Sequence, residues 1–197
     1  MFAPATTTHA TLLARIADPG DPTAWGEFCA QYEEMIRAFA RRQGVVGANA
    51  DDIVQEVLLS LTKALPGFEY NPAKGKFRSY LKTVVVRAII RRRQREFGVV
   101  QLGDVDEASR VACADEKLDA AWEEEWRQQH LRRAMRTVEA EFNATDLGCF
   151  RAYVVEGEDT EAVAKRFGVS ASQVYGAKHR ILARLKALIA VQVEDEG

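Results

Sequence analysis

Residues 160–185 read TEAVAKRFGVSASQVYGAKHRILARL. The spacing predicts a short amphipathic helix over about 161–167, with Thr160 as its cap, then a turn at Gly168-Val169-Ser170 and a second, longer helix. Ser170 and Gln173 have the S-x-x-Q spacing of a capping box, in which each side chain answers the other's backbone N–H. On the second helix Val174, Ala177, Ile181, Leu185 and Leu188 fall on one stripe. Ser172, Gln173, Tyr175, Gly176, His179 and Arg180 fall on the other face. Two helices joined by a tight glycine turn, with polar side chains along the second, are a helix-turn-helix. The residues of that face can meet base edges in a major groove, and Lys165, Arg166, Lys178 and Arg184 can meet phosphates. The alternative is a helical hairpin whose polar face is simply solvated.

Helical periodicity continues outward through the chain. Trp25, Phe28, Cys29, Tyr32, Met35, Ile36, Phe39 and Ala40 form one stripe, opened by Asp21 as N-cap and Pro22 at the first helical position. Gly44 and Gly47 mark its end. A second helix is expected from about Asn49, capped by Asn49, with Asp51 and Asp52 at the positive end of its dipole. Its apolar residues are Ile53, Val54, Val57, Leu58, Leu61 and Leu65, and Pro66-Gly67 stop it. Residues 67–77, GFEYNPAKGKF, carry turn chemistry and read as an ordered loop. A third long helix follows from about Arg78 to Arg95. Further helices are expected from Lys117 past Val138 and from Thr145 to Glu156. No internal repeat or strand pattern emerges, so the fold class is all-α. Two small helical domains, 1–97 and 117–197, are joined by an irregular linker over 98–116.

The net charge of −2 conceals segregation. Lys74, Lys76, Arg78, Lys82, Arg87, Arg91, Arg92, Arg93 and Arg95 stand against the single acid Glu96, with Phe68, Tyr70, Phe77 and Tyr80 interleaved. Dense cations beside stackable rings suit a nucleic-acid backbone with some unpaired bases. From Asp104 to Glu125 acids dominate instead, which allows this stretch to shield basic surface in the free protein. A smaller acidic set, Asp51, Asp52 and Glu56 with Gln55, opens the second helix. Helix-start electrostatics explain it, and a protein-docking face is the other reading. The set lacks the third convergent ligand that a metal would need.

Several classes are excluded. Cys29, Cys113 and Cys149 are odd in number and far apart, so neither a disulfide framework nor a zinc knuckle is expected. His9, His130 and His179 are isolated, and Ala73-Lys74-Gly75-Lys76 lacks P-loop spacing. No catalytic residue, metal or cofactor is expected, and the chain is not read as an enzyme. The N-terminus lacks the features of a signal peptide, and no stretch approaches the ~20 apolar residues of a membrane span. A cytoplasmic protein without a membrane partner is the expectation.

In this order, the three signals resemble a bacterial RNA polymerase sigma factor of the extracytoplasmic-function (ECF) group, over about Asp21 to Leu188. Residues 50–61, ADDIVQEVLLSL, look like the family's region 2.2. The resemblance implies that Asp51, Asp52, Gln55 and Glu56 dock on the clamp helices of the polymerase β′ subunit, and that the β subunit is contacted too. Residues 77–83, FRSYLKT, are similar to the family's F-R-x-W-L-x-T, with Tyr80 in place of Trp. The implied −10 promoter contacts are Lys74, Lys76, Arg78, Tyr80, Lys82, Arg87, Arg91, Arg92 and Arg95, with the loop from Pro66 to Lys76 holding an unstacked base. The helix-turn-helix resembles region 4.2, so Lys165, Arg166, Ser170, Ser172, Gln173, Tyr175, Lys178, His179 and Arg180 would read the −35 element. Residues 1–97 would then be region 2 and 117–197 region 4. The family often has an anti-sigma factor that occludes both faces. The chain departs from the family at Arg87 and Arg91, where Asn and Asp are common, and at Val174-Tyr175-Gly176-Ala177, where V-K-S-R is common. A stand-alone helix-turn-helix regulator is the alternative function; it would need no docking face.

Overall fold

Asp21 accepts hydrogen bonds from the backbone N–H groups of Thr23 and Ala24, so the helix that follows starts where the cap and Pro22 place it. The computed structural model describes residues 9–18, 21–64, 77–97, 109 and 112–195. These form helices α1 (His9–Ala17), α2 (Pro22–Arg42), α3 (Asn49–Ala64), α4 (Phe77–Phe97), α5 (Glu116–Glu141), α6 (Ala144–Phe150), α7 (Thr160–Phe167) and α8 (Ala171–Asp195). No strand occurs among the described residues. The loop before α4 and most of the expected linker lie outside them.

The chain divides into two compact units, one running to Gln129 and the other spanning His130–Glu194. The division falls inside α5, not at residues 98–116. The reason is the aromatic pair Trp122 and Trp126, only 1% and 3% exposed, which belong to the first unit's core. Trp122 meets the Phe39 ring edge-on at 5.0 Å, and Trp126 lies 5.8 Å from Tyr32. Phe28, Met35 and Ile36 of α2, Ile53, Val57 and Leu61 of α3, and Phe77, Leu81 and Val85 of α4 complete that core.

A helix absent from the sequence-based expectations, α1, also closes on it through Leu12, Leu13 and Ile16. Arg15 ties α1 to the start of α2. Its Nε donates to Asp21 (2.6 Å) and its Nη1 and Nη2 to the two oxygens of Glu27 (2.8 and 3.0 Å). The Arg15 bond, followed by that from Thr23, holds the Asp21 carboxyl well below the usual carboxylate range. A depressed folded-state pKa contributes stability that is present above the unfolded value and lost as pH falls through the folded one. The first unit should therefore weaken as pH drops below about 4, and Asp21→Asn should flatten that slope. Circular dichroism of urea unfolding at a series of acid pH values reads this directly. Parallel slopes for the two proteins would remove Asp21 from the account.

In the second unit Ala134, Val138, Phe150, Ile181 and Leu185 form one buried cluster, and Cys149, Ala152, Val163, Val174 and Ala177 another. Two expected caps move by one position. Asp159, in extended backbone, caps α7 by accepting from the Glu161 N–H (2.9 Å), and Thr160 is the first helical residue. Asn49 likewise is the first residue of α3, and its side chain reaches Glu96. The expected helix to Glu156 is α6 followed by a π-helical turn, Arg151–Val155. That turn leaves Val155 70% exposed, although its apolar character reads as core.

Candidate nucleic-acid and protein-docking interfaces

On α3 the apolar residues Ile53, Val54, Val57 and Leu61 face the core. Asp51, Asp52, Gln55 and Glu56 lie on the other side at helical spacing, so one face collects them. The first three are exposed and Glu56 is half-buried. Arginines flank this row: Arg37 pairs with Asp51 (2.7 Å), Arg92 with Asp52 (2.9 Å), and Arg95 and Arg91 with Glu56 (2.5 and 3.8 Å). Such exposed pairs contribute only ~0–1 kcal/mol each. They leave the acids able to exchange partners with another basic surface. Three expected −10 cations are therefore engaged with the expected docking row, a link that the separate sequence signals did not reveal.

The other end of α4 is engaged differently. Arg78 pairs with Glu123 of α5 (3.2 Å), and its guanidinium lies 5.9 Å from the Trp126 ring centre. Lys82 donates to Asp119 (2.6 Å) and to the Cys113 carbonyl (3.3 Å). Tyr80 is half-buried beside Phe77, and burial pushes its phenol above the ordinary value, so it stays protonated at neutral pH. Arg87 is half-buried. Lys74 and Lys76 lie outside the described residues.

In the second unit the predicted capping box forms. The Gln173 N–H donates to Ser170 Oγ (3.2 Å), and Gln173 Oε1 accepts from the Ser170 N–H (2.8 Å). Gly168 supplies the turn with φ +66°, a left-handed conformation that favours glycine. Lys165, Arg166, Ser170, Ser172, Gln173, Tyr175, His179 and Arg180 are all exposed. Internal contacts orient several of them. Tyr175 sits edge-on to Tyr153 at 5.6 Å, and the Lys178 ammonium stands 5.0 Å above that same ring. Arg180 pairs with Asp146 (2.8 Å), and Arg166 with Glu158 (2.5 Å). Farther along α8, Arg184 pairs with Glu141, which lowers the Glu141 pKa and raises that of Arg184. Tyr153, Asp146 and Glu158 were not singled out in the sequence. Asp146 and Glu158 look there like ordinary solvated acids, and only the fold brings them to the arginines.

Among the described residues no group of three or more His, Cys, Asp or Glu side chains could hold a metal ion. No helix among them is long and apolar enough to cross a membrane. The Cys29 thiol is pushed up to about 11, chiefly by burial and then by Glu33, so it is a poor nucleophile at neutral pH.

Residues 28–96 match the family model for sigma-70 region 2. The matched span runs from Phe28 of α2 to Glu96 of α4 and contains the whole acidic row. No curated protein matches the chain. Among solved structures, CnrH in complex with the cytosolic domain of CnrY is 20% identical, with 92% of this chain and 96% of that chain covered, at a TM-score of 0.36. A superposition that loose does not establish a shared arrangement.

Proposed function

Because residues 28–96 match the family model for sigma-70 region 2, we propose that the chain is an ECF-type initiation factor. It docks on core RNA polymerase through Asp51, Asp52, Gln55 and Glu56, acts in the cytoplasm, and is not itself an enzyme. The observation that carries this reading is the exposed acidic row on α3 within a region 2 domain, in a chain that also holds a capped helix-turn-helix. In this reading α8 enters the major groove at the −35 element, with Gln173, Tyr175, His179 and Arg180 toward bases and Lys165, Arg166 and Lys178 toward phosphates. The α4 cations hold the −10 strands, and the preceding loop takes up an unstacked base. Unstacking DNA costs free energy, so polymerase and promoter contacts must offset it together. Residues 117–197 serve as region 4 in function, although the first turns of α5 pack with the first unit. An anti-sigma factor is the expected inhibitor.

The test is capture of purified core polymerase. Wild type should retain it, and an Asp51→Asn/Asp52→Asn/Glu56→Gln variant should bind about tenfold more weakly, as expected when rim charge pairs are lost. Failure of wild type to retain core polymerase, with no inhibitor present, would overturn the proposal.

A further inference from the structure

Arg78 and Lys82 are four residues apart on α4, and Asp119 and Glu123 are four apart on α5. The pairs meet in reverse order, Arg78 with Glu123 and Lys82 with Asp119, so a two-charge row on one helix matches a two-charge row on its neighbour. Both cations belong to the stretch FRSYLKT. From this match we infer that the first half of α5 is an internal competitor for nucleic acid. Its carboxylates stand where backbone phosphates would sit on α4. The inference rests on the proposed role of α4 in holding −10 DNA.

Three features fit a competitor that can be displaced. Trp122 and Trp126 anchor α5 in the core, so the acids are held in place without depending on their ion pairs. Arg78 and the two carboxylates lie at the rim, with side-chain exposures of 34% at Arg78, 34% at Glu123 and 51% at Asp119, where a phosphate can approach, and Lys82 is more enclosed at 14%. Partner exchange then needs only side-chain rotation, and α5 need not leave the core. Two other acids of the described part of this stretch do not act this way. Glu124 bonds Arg127 and Gln128 on its own helix, and Glu125 pairs with Arg42 of α2. Among the described acids of this stretch, those that pair with α4 cations are thus Asp119 and Glu123.

The experiment uses the full chain and a fluorescein-labelled single-stranded DNA of mixed sequence, about 12 nucleotides long. Anisotropy is measured across a salt series. Asp119→Asn/Glu123→Gln should bind about three- to tenfold more tightly than wild type, the range set by breaking two partly exposed ion pairs. Its plot of log affinity against log salt should be steeper by about 0.7 for each cation released to the strand. Glu116→Gln/Glu124→Gln removes the same charge from the same helix and should leave affinity and slope near wild type, because neither residue has an ion pair to α4 among the described residues. Circular dichroism checks that both variants keep wild-type helix content.

Equal gains in the two variants would mean bulk charge is responsible and would overturn the competitor. So would no gain in either. An Arg91→Ala/Arg92→Ala/Arg95→Ala variant, assayed for promoter binding as polymerase holoenzyme, separates the two levels. If it weakens promoter binding while Asp119→Asn/Glu123→Gln does nothing, only the competitor falls. If it too has no effect, the role of α4 in DNA binding falls with it.

Discussion

Trp122→Ala should lower the unfolding free energy of the first unit by about 3–5 kcal/mol, the range for emptying a large aromatic site in a close-packed core. The ring is 1% exposed and contacts Phe39 and Trp126, so surrounding side chains cannot close the space without losing those contacts. Its indole nitrogen has no hydrogen-bond partner among the described residues. A buried unpaired donor is itself unfavourable by ~1–3 kcal/mol. Trp122→Phe, which removes that donor and keeps a ring, should therefore cost well under the alanine value. Urea unfolding of both variants at neutral pH measures the difference. A loss below about 1 kcal/mol for alanine would place α5 outside the unit's cooperative core. The same logic sets a truncation limit: a chain cut after residue 97 keeps the matched region 2 span and loses both rings, so it should unfold at lower urea than a chain cut after Gln129.

Gly148→Val should destabilise the second unit by about 1–3 kcal/mol, through overpacking at a site that has no spare room. A Cβ built at Gly148 would lie 2.4 Å from Cε1 and 2.8 Å from Cζ of Phe167. That ring, on the last residue of α7, packs against the cluster of Cys149, Ala152, Val163, Val174 and Ala177, so making room for the new side chain costs some of that packing. The gain in helix propensity from replacing glycine with valine is a few tenths of a kcal/mol and does not offset the clash. Gly26 of α2 is the comparison, with nothing within 4 Å of its Cβ position. Gly26→Ala should stabilise by ~0.5–1 kcal/mol. In the proposed function Gly148→Val should also weaken −35 binding while leaving capture of core polymerase intact. Unfolding of Gly148→Val at the wild-type urea concentration would show that Phe167 has somewhere to go.

These cases separate what is written locally in the sequence from what is not. The capping box at Ser170 and Gln173, the Gly168 turn and the Asp21-Pro22 start each involve residues within four positions, and the structure forms all three. Asp159 and Thr160 are both good caps, so their order depends on backbone that the sequence does not specify. For α1, Leu12, Leu13 and Ile16 carried the signal, but a nine-residue helix is marginal until a core receives it. The four-residue spacing of Trp122 and Trp126 identifies a helix stripe and says nothing about which core it enters. In the candidate interfaces, exposure of the α8 polar face was legible from its period. The pairing of Arg91, Arg92 and Arg95 with the α3 acids was not, because it joins residues some 40 positions apart.

All three tryptophans of the chain, Trp25, Trp122 and Trp126, lie in the first unit, while the second has tyrosines at 153 and 175 and no indole. Emission excited at the red edge of the absorption band thus reports on one unit alone, and its polypeptide neighbour is optically silent. Because Trp126 lies beneath the Arg78 guanidinium, any event that draws that side chain away should change its quantum yield. In the proposed function the molecule would thus carry its own optical gauge of promoter engagement, readable without a label.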